Sequence, residues 1–211
     1  MPIKPRHKPV HFFDSFCVDI TERLRDVSPQ ALDSFCHTLV GAQARKRKVI
    51  VAGNGGSAAI ASHVSVDLTK VAGVRAVSFN ESDLITCFAN DYGYQHWLAK
   101  AIEAYGDAGD VAVLISSSGQ SPNIVNAAHC ARDRDLTVLT LSGFDTNNPL
   151  RALGHQNLWV NSRSYNIVET VHQSWLLACV DGIASGVGGG AQCLDRRRFL
   201  SRVTRGMSGP C

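Results

Sequence analysis

The sequence predicts an α/β fold: a three-layer αβα sandwich with a five-stranded, mainly parallel sheet, preceded by an N-terminal helical pair. Two observations lead to this prediction. Short apolar runs alternate with stretches of helical periodicity, an order that needs crossover connections and a parallel sheet covered on both faces. The 211 residues are 45% hydrophobic and 18% charged, which is enough for a full core in one domain.

The N-terminal helical pair is predicted over residues 12–44. Apolar side chains recur at three-four spacing from Phe13 to Leu24, and Ser28-Pro29 then caps and starts a second helix. The pair carries more aromatic surface than a solitary pair of helices buries, so we expect it to pack between subunits. The aromatic residues are Phe12, Phe13, Phe16 and Phe35.

Five apolar runs predict the strands of the sheet: KVIVAG, VRAVSF, DVAVLISSSG, TVLTLSG and NLWVNS. Helical periodicity predicts four helices after the N-terminal pair: residues 57–71 and the segments SDLITCFAND, SPNIVNAAHCARDRD and IVETVHQSWLLACVDGIAS. Ligands of such sheets bind beyond the carboxyl ends of the strands. A site is therefore expected at the loops after the first and third runs.

Charge and glycine content divide the chain into a body and two ends. The net charge is +3, but residues 194–211 hold five arginines against one aspartate, a net +4 that leaves −1 for the rest. A near-neutral body argues against a nucleic-acid-binding core. We predict flexible ends at residues 1–11 and 187–211, the latter Gly/Arg-rich, around a domain at 12–186.

The cysteines and the apolar runs indicate the compartment. Seven cysteines are scattered without a CxxC pair, which is typical of free thiols in a reducing compartment. No secretory h-region opens the sequence, and no apolar run approaches the length of a membrane span. These features predict a cytoplasmic protein that does not enter a membrane.

Glycines join the first strand to its helix in the segment Gly53-Asn54-Gly55-Gly56-Ser57. Glycine lets backbone approach a ligand, and the unpaired N–H groups at a helix N-terminus attract phosphate. The segment lacks both the G-x-G-x-x-G spacing and the Lys-Ser/Thr of nucleotide-binding loops. It predicts a phosphate site without a nucleotide cofactor.

A second loop repeats this chemistry after the third strand. Ser116, Ser117, Ser118 and Ser121 surround Gly119, and their hydroxyls can both donate to and accept from phosphate oxygens. Each loop by itself is equally consistent with an ordinary tight turn. Two such loops at the ends of separate strands favour an anion site.

Three segments, GNGGSAA with its following SH, FANDYGY and ISSSGQSPN, resemble the sugar isomerase (SIS) domain family, most closely its phosphoheptose isomerase branch. The resemblance covers residues 12–186 and implies a flavodoxin-like fold. Members of this branch convert sedoheptulose 7-phosphate into a glycero-manno-heptose 7-phosphate. They are homotetramers with zinc sites built from several subunits.

The resemblance also assigns residues to the substrate. It implies that Ser57, Ser116, Ser118 and Ser121 hold phosphate, and that Asn54 and Asp91 contact the sugar. Together with the loop chemistry, this gives a predicted set for binding a phosphorylated heptose or related ketose phosphate. The set is Asn54, Gly55, Gly56, Ser57, Asp91, Ser116, Ser117, Ser118 and Ser121.

Aldose–ketose isomerisation needs a base, an acid and a group that stabilises the negative charge of the enediol. A divalent metal fills the last role by polarising two oxygens. The resemblance places His63 and Asp67 at the family's paired His and Glu, as catalytic residues and as ligands of zinc or another divalent ion. Asp67 is one methylene shorter than Glu, and a displacement of about 1 Å costs about a hundredfold in rate.

The last helix departs from the family pattern, which is similar to I-Q-E-I-H followed by a catalytic His. Aligned with VETVH, this pattern places Glu169 at the metal-binding Gln and Leu177 at the catalytic His. The alternative register places Val168 and Leu176 there. In both registers the second acid–base residue is absent, and the implied metal set becomes His63, Asp67 and Glu169. His172 is a further, less well placed candidate ligand.

Two functions follow from this mixture of matches and departures. The first is a phosphosugar aldose–ketose isomerase with a modified active site. The second is a non-catalytic protein that binds a phosphosugar or a protein partner, as do the DnaA initiator-associating relatives in this branch. A third and lesser reading, nucleic-acid binding by the arginine-rich end, concerns residues 190–211 alone.

Overall fold

The computed structural model describes residues 11–189. Its centre is a five-stranded sheet, parallel throughout, in the order β2-β1-β3-β4-β5. This confirms the predicted α/β sandwich. The predicted flexible ends lie outside the described residues, apart from His11 and residues 187–189. The strands are β1 Val49–Gly53, β2 Ala76–Val77, β3 Val111–Ser116, β4 Thr137–Ser142 and β5 Gln156–Trp159.

Eight helices surround this sheet within residues 11–189. Among them, none is both long enough and apolar enough to cross a membrane. They are α1 Phe12–Leu24, α2 Pro29–Ala44, α3 Gly56–Lys70, α4 Ser82–Tyr92, α5 Trp97–Tyr105, α6 Pro122–Asp133, α7 Pro149–Leu153 and α8 Tyr165–Ala184.

Two apolar layers cover the sheet because strand side chains alternate between its faces. Val49 and Val51 point into the layer that α2, α3 and α8 close, whereas Ile50 and Ala52 point into the layer closed by α5 and α6. The central strands β1 and β3 are buried along their whole length. The carboxyl edge of the sheet, where the loops leave the strands, is therefore accessible to solvent.

The helical N-terminal pair forms as predicted, with its break at Ser28. The Ser28 hydroxyl accepts a hydrogen bond from the backbone N–H of Ala31 at 3.2 Å, and Pro29 occupies the first helical position. The indole N–H of Trp175 donates to the carbonyl of Leu24 at 3.1 Å, which ties the end of α1 to α8.

One residue predicted for the surface between subunits is buried within a single subunit. Phe35 is 0% exposed and packs in the core beneath α2, so its assignment to that surface is wrong. Phe12 and Phe13 are 70% and 65% exposed, and Phe16 packs partly against the core. The aromatic surface of the helical pair is therefore smaller than predicted, and tetramer formation stays a prediction.

Two short helices were absent from the sequence-based prediction. In α5, His96 precedes the helix without a side-chain capping bond, so the usual start signal is absent. In α7, the signal was present: Asn148 accepts from the backbone N–H of Arg151 at 2.9 Å, and Pro149 follows it. A five-residue helix leaves too little periodicity for a pattern to reveal it.

Candidate functional site

The two predicted loops meet at one edge of the sheet. Strands β1 and β3 are hydrogen-bonded neighbours with Gly53 opposite Ile115, so both loops leave the sheet side by side. Between them and the start of α8 lies a cavity of about 100 Å³. It is lined by Asn54, Ser57, Ile115, Ser116, Ser117, Ser118, Ser121, Tyr165 and Glu169.

Glycine is required in the first loop for two reasons. A side chain on Gly53 would overlap Ser57, and Gly55 adopts a φ of 53°, in the left-handed region. The chain thus turns from strand to helix within three residues, which brings the buried Ser57 hydroxyl to the cavity. The first amides of α3 lie at the positive end of the helix dipole, where an anion is stabilised.

The second loop presents hydroxyls from a similarly tight turn. The hydroxyls of Ser116 and Ser121 are 3.2 Å apart, and Ser121 precedes α6 without making a side-chain capping bond. The Ser117 hydroxyl is buried without a hydrogen-bond partner in the described chain. Since a buried hydroxyl without a partner is destabilising, it is suited to a polar ligand.

Gly119 shapes this turn. Its φ is 66°, and a side chain there would overlap that of Asn148. Asn148 in turn donates to the Ser142 hydroxyl at 3.2 Å and to the Gly143 carbonyl at 3.2 Å. The buried side-chain amide of Asn148 therefore packs against the serine loop and stabilises its conformation. The predicted phosphate residues Ser57, Ser116, Ser117, Ser118 and Ser121 all line one cavity.

Asn54 joins the two loops through its side chain. Its amide N–H donates to Asn123 Oδ1 at 2.9 Å, and Asn123 Nδ2 donates back to Asn54 Oδ1 at 2.8 Å. The Tyr94 hydroxyl also donates to Asn54 Oδ1, at 3.2 Å. Asn123 and Tyr94 were missed as site residues, although both lie inside the quoted segments ISSSGQSPN and FANDYGY.

Asp91 is placed differently from the other predicted substrate residues. Its exposed carboxylate on α4 accepts from Asn90 Nδ2 at 2.9 Å, and it does not line the cavity. The neighbouring Tyr94 is the residue of this segment that reaches the glycine loop. A contact between Asp91 and a sugar stays a prediction.

His63 and Asp67 share one face of α3, as their spacing predicts. His63 Nε2 lies 3.1 Å from Asp67 Oδ2, with the two side chains 48% and 29% exposed. The other ring nitrogen, Nδ1, lies 3.2 Å from the side-chain amide nitrogen of Gln173 on α8. Both ring nitrogens of His63 thus have a polar partner, one from α3 and one from α8, and Gln173 was not among the predicted residues.

Glu169 does not join this cluster, which corrects the predicted metal set of His63, Asp67 and Glu169. Its carboxylate lies in the serine-lined cavity against Gly56, where an added methyl group would overlap it. The reason is the path of α8 along α3: Glu169 meets the start of α3, and Gln173, one turn later, meets His63. Within residues 11–189, no three His, Cys, Asp or Glu side chains are grouped to hold a metal ion.

His172 is excluded from the site. It is fully buried, its Nε2 lies 3.1 Å from the Ser142 carbonyl, and burial lowers its pKa to about 4. It is therefore a neutral core residue. Leu176 is buried and Leu177 packs partly against the same core, so in neither register does α8 bring an imidazole to the expected position.

The residues His63, Asp67 and Gln173 fit a divalent ion by donor type. Imidazole nitrogen, carboxylate oxygen and amide oxygen are all metal ligands, and Asp67 and Gln173 each lie within hydrogen-bonding distance of one nitrogen of His63. Gln173 takes the position that the sequence reasoning gave to Glu169. Metal binding itself stays a prediction.

A larger groove lies elsewhere, beside the short edge strand β2. It measures about 800 Å³ and is lined by apolar residues including Phe79, Phe88 and Tyr105. Its lining also holds the carboxylates of Glu81 and Asp83, which disfavour an anion, and a single serine, Ser78. The smaller cavity is therefore the better candidate for an anion site.

Comparison with known proteins agrees with this geometry. A family model described as the SIS domain matches residues 11–143, more than half of the chain. The chain belongs to the SIS domain family. This SIS protein is 34% identical over 139 residues to a phosphoheptose isomerase of Methylibium petroleiphilum, covering 63% of this chain and 68% of that protein.

Two further relatives extend the match. A phosphoheptose isomerase of Shewanella sediminis is 34% identical to this SIS protein over 164 residues, 74% of this chain and 81% of that protein. The structure of the phosphoheptose isomerase of Neisseria gonorrhoeae superposes with a TM-score of 0.76 at 27% identity, covering 82% of this chain and 95% of that chain. These matches confirm the resemblance to the phosphoheptose isomerase branch.

Proposed function

We propose that this SIS protein is a cytoplasmic phosphosugar aldose–ketose isomerase that acts on sedoheptulose 7-phosphate or a related ketose phosphate. The observation that carries the proposal is the convergence of two serine-bearing loops and two helix N-termini on one cavity. The phosphoheptose isomerases among its relatives support the substrate class. The described cysteines are all free, in keeping with a reducing compartment.

The size of the cavity assigns it to the phosphate. Pockets that enclose a whole ligand measure roughly 300–1,000 Å³. This cavity measures about 100 Å³, a size that supports binding of a phosphate group with the sugar outside it. From this cavity the helices α3 and α8 run side by side: Gly56 meets Glu169 at the cavity, and His63 meets Gln173 further along the same two helices.

The spacing along α3 supports a position for the reacting carbons beside His63. His63 follows Ser57 by six residues, about 9 Å along the helix axis at 1.5 Å per residue. An open-chain ketose phosphate with its phosphate at Ser57 extends its carbonyl end to this height. Asp67 is bonded to His63 there.

The proton transfer is assigned to this pair. The Asp67 carboxylate takes the proton from the carbon alpha to the carbonyl, the C–H electron pair forms the enediol, and the proton returns to the neighbouring carbon. His63 donates to and accepts from the oxygens that exchange the hydroxyl and carbonyl roles. His63, Asp67 and Gln173 would hold a divalent ion, which would supply Lewis-acid stabilisation of the negative charge on the enediol.

The test is turnover of sedoheptulose 7-phosphate and related ketose phosphates by the purified protein, with and without added zinc. We expect metal-dependent isomerisation that Asp67→Asn lowers by at least about a hundredfold. The matched control is Asp133→Asn at the end of α6, which removes a carboxylate outside the site and leaves turnover unchanged. If the protein converts none of these substrates, the proposed isomerase activity is refuted.

A non-catalytic phosphosugar-binding protein is the second candidate. It is favoured by the apolar packing of Leu176 and Leu177, which leaves the second acid–base residue absent. It predicts heat of binding in calorimetry with sedoheptulose 7-phosphate but no isomerisation. Calorimetry and the turnover assay on the same protein sample therefore separate the two functions.

The assembly is proposed to be a homotetramer. The exposed Phe12 and Phe13 on α1 support an interface between subunits on this helix. Sedimentation of the full chain tests this proposal, and a monomer at micromolar concentration contradicts it.

A further inference from the structure

Glu169 places a negative charge inside the cavity that is suited to an anion. It lines this cavity together with Ser57, Ser116 and Ser118. Both carboxylate oxygens lie so close to the backbone of Gly56 that a side chain at residue 56 would overlap them. Glycine at this position therefore admits the carboxylate to the start of α3.

The carboxylate has no partner in the described chain. Burial raises the pKa of Glu169, and no hydrogen bond or nearby charge opposes this effect. Among the ionisable side chains of α3 and α8, Tyr165 lines the same cavity, His63 is paired with Asp67 and Gln173, and His172 is buried in the core. The serine loop contributes hydroxyls alone. A partly buried carboxylate of this kind is stabilised by a ligand that donates a hydrogen bond.

We propose that Glu169 is a specificity-determining residue: it accepts a hydrogen bond from a sugar hydroxyl close to the phosphate, and its charge disfavours tetrahedral anions that lack such a hydroxyl. This inference rests on the proposed function, because it assigns the cavity to the phosphate end of a phosphosugar. A charge-assisted hydrogen bond is roughly twice as strong as a neutral one, whereas two like charges at contact distance repel each other.

The substrate class is thereby narrowed. A phosphate ester with a hydroxyl on the carbon next to the ester carbon satisfies both the serine loops and Glu169. A bare dianion such as sulfate satisfies the loops but leaves Glu169 unpaired and repelled. The cavity thus selects polyhydroxylated phosphate esters by their first hydroxyl.

The test compares matched probes by calorimetry on the full-length protein. Glycerol 3-phosphate and propyl phosphate have the same phosphate and carbon number but differ in hydroxyls, and sulfate reports on charge alone. Wild-type protein is expected to bind glycerol 3-phosphate about tenfold more tightly than propyl phosphate, and sulfate weakly. In Glu169→Gln we expect the preference for glycerol 3-phosphate over propyl phosphate to fall and the affinity for sulfate to rise several-fold. Glu169→Ala is expected to change the preference and the sulfate affinity in the same directions.

Glu103→Gln is the matched control, because Glu103 is exposed and paired with Lys100 on α5. It is expected to leave all three affinities unchanged. The inference is overturned if both Glu169 variants keep the wild-type preference and sulfate affinity. These titrations measure binding alone and are independent of turnover. If the wild-type protein prefers glycerol 3-phosphate but converts no substrate, the isomerase is refuted. If the protein converts substrate but the Glu169 variants bind the three probes as the wild type does, only the role of Glu169 is refuted.

Discussion

Asn54 and Asn123 exchange two side-chain hydrogen bonds, at 2.9 and 2.8 Å, between the glycine loop and the start of the helix after the serine loop. Asn123 is 1% exposed, whereas Asn54 is half-buried, so one side of this pair is shielded from water. Both amides are oriented by each other, and Tyr94 adds a third bond to Asn54. The pair fixes the distance between the two loops that line the cavity.

Replacing Asn123 is therefore expected to weaken phosphosugar binding. Asn123→Leu removes both bonds and leaves the Asn54 amide unpaired, which costs about 1–3 kcal/mol, or about ten- to a hundredfold in affinity for sedoheptulose 7-phosphate. Calorimetry measures this change. Asn126→Leu is the control, because Asn126 lies one turn later on α6 and donates to the Gln95 carbonyl instead of to Asn54; equal losses in both variants would argue against a specific role for the pair.

Lengthening the carboxylate at residue 67 is expected to increase turnover. Asp67 lies 3.1 Å from His63 but ends one methylene earlier than the family's Glu. Since a misplacement of about 1 Å costs about a hundredfold, Asp67→Glu is expected to raise kcat by up to about that factor. Initial rates measure the change, with Asp133→Glu as the control. A lower kcat in Asp67→Glu would show that the site has adapted to the shorter side chain.

His172 is expected to make stability depend on pH. Burial lowers its pKa from 6.5 to about 4, so the folded protein keeps it neutral where the unfolded chain binds a proton. The free energy of unfolding is therefore expected to fall by about 3 kcal/mol as pH drops from about 7 to about 4, and this contribution is constant below that range.

Urea unfolding of wild type and His172→Gln over this pH range measures the effect. The variant has no titrating group at this position, so the difference between the two proteins isolates the histidine from the carboxylates. Parallel stability curves for the two proteins would contradict the expectation.

Gly119→Ala is expected to lower the free energy of unfolding by more than the cost of the left-handed backbone conformation at this residue. The left-handed conformation costs an alanine about 1–2 kcal/mol, and the added methyl group also overlaps the Asn148 side chain. Gly186→Ala is the matched control, because Gly186 has a φ of 101° but open space around it. Denaturant unfolding compares the two, and equal losses would mean that Asn148 moves aside without cost.

The sheet and both loops were predictable from local signals. Gly53, Gly55 and Gly119 are needed for backbone geometry that few other residues adopt, and the apolar strand runs reflect burial on both faces. These signals lie within a few residues of one another. They do not depend on how distant elements pack.

The partner of His63 was not predictable in the same way. Whether Glu169 or Gln173 reaches His63 depends on how α8 is rotated and shifted against α3. Packing of Val171, Trp175 and Leu176 in the core fixes this rotation, and it also turns His172 inward. A sequence register taken from relatives cannot specify such a rotation when the intervening residues differ.

The most direct test of the account is a crystal structure of the protein soaked with sedoheptulose 7-phosphate. The account predicts phosphate density between Ser57 and the loop of residues 116–121, with the sugar extending along α3 toward His63. Phosphate density elsewhere, or an empty cavity at saturating ligand, would contradict it.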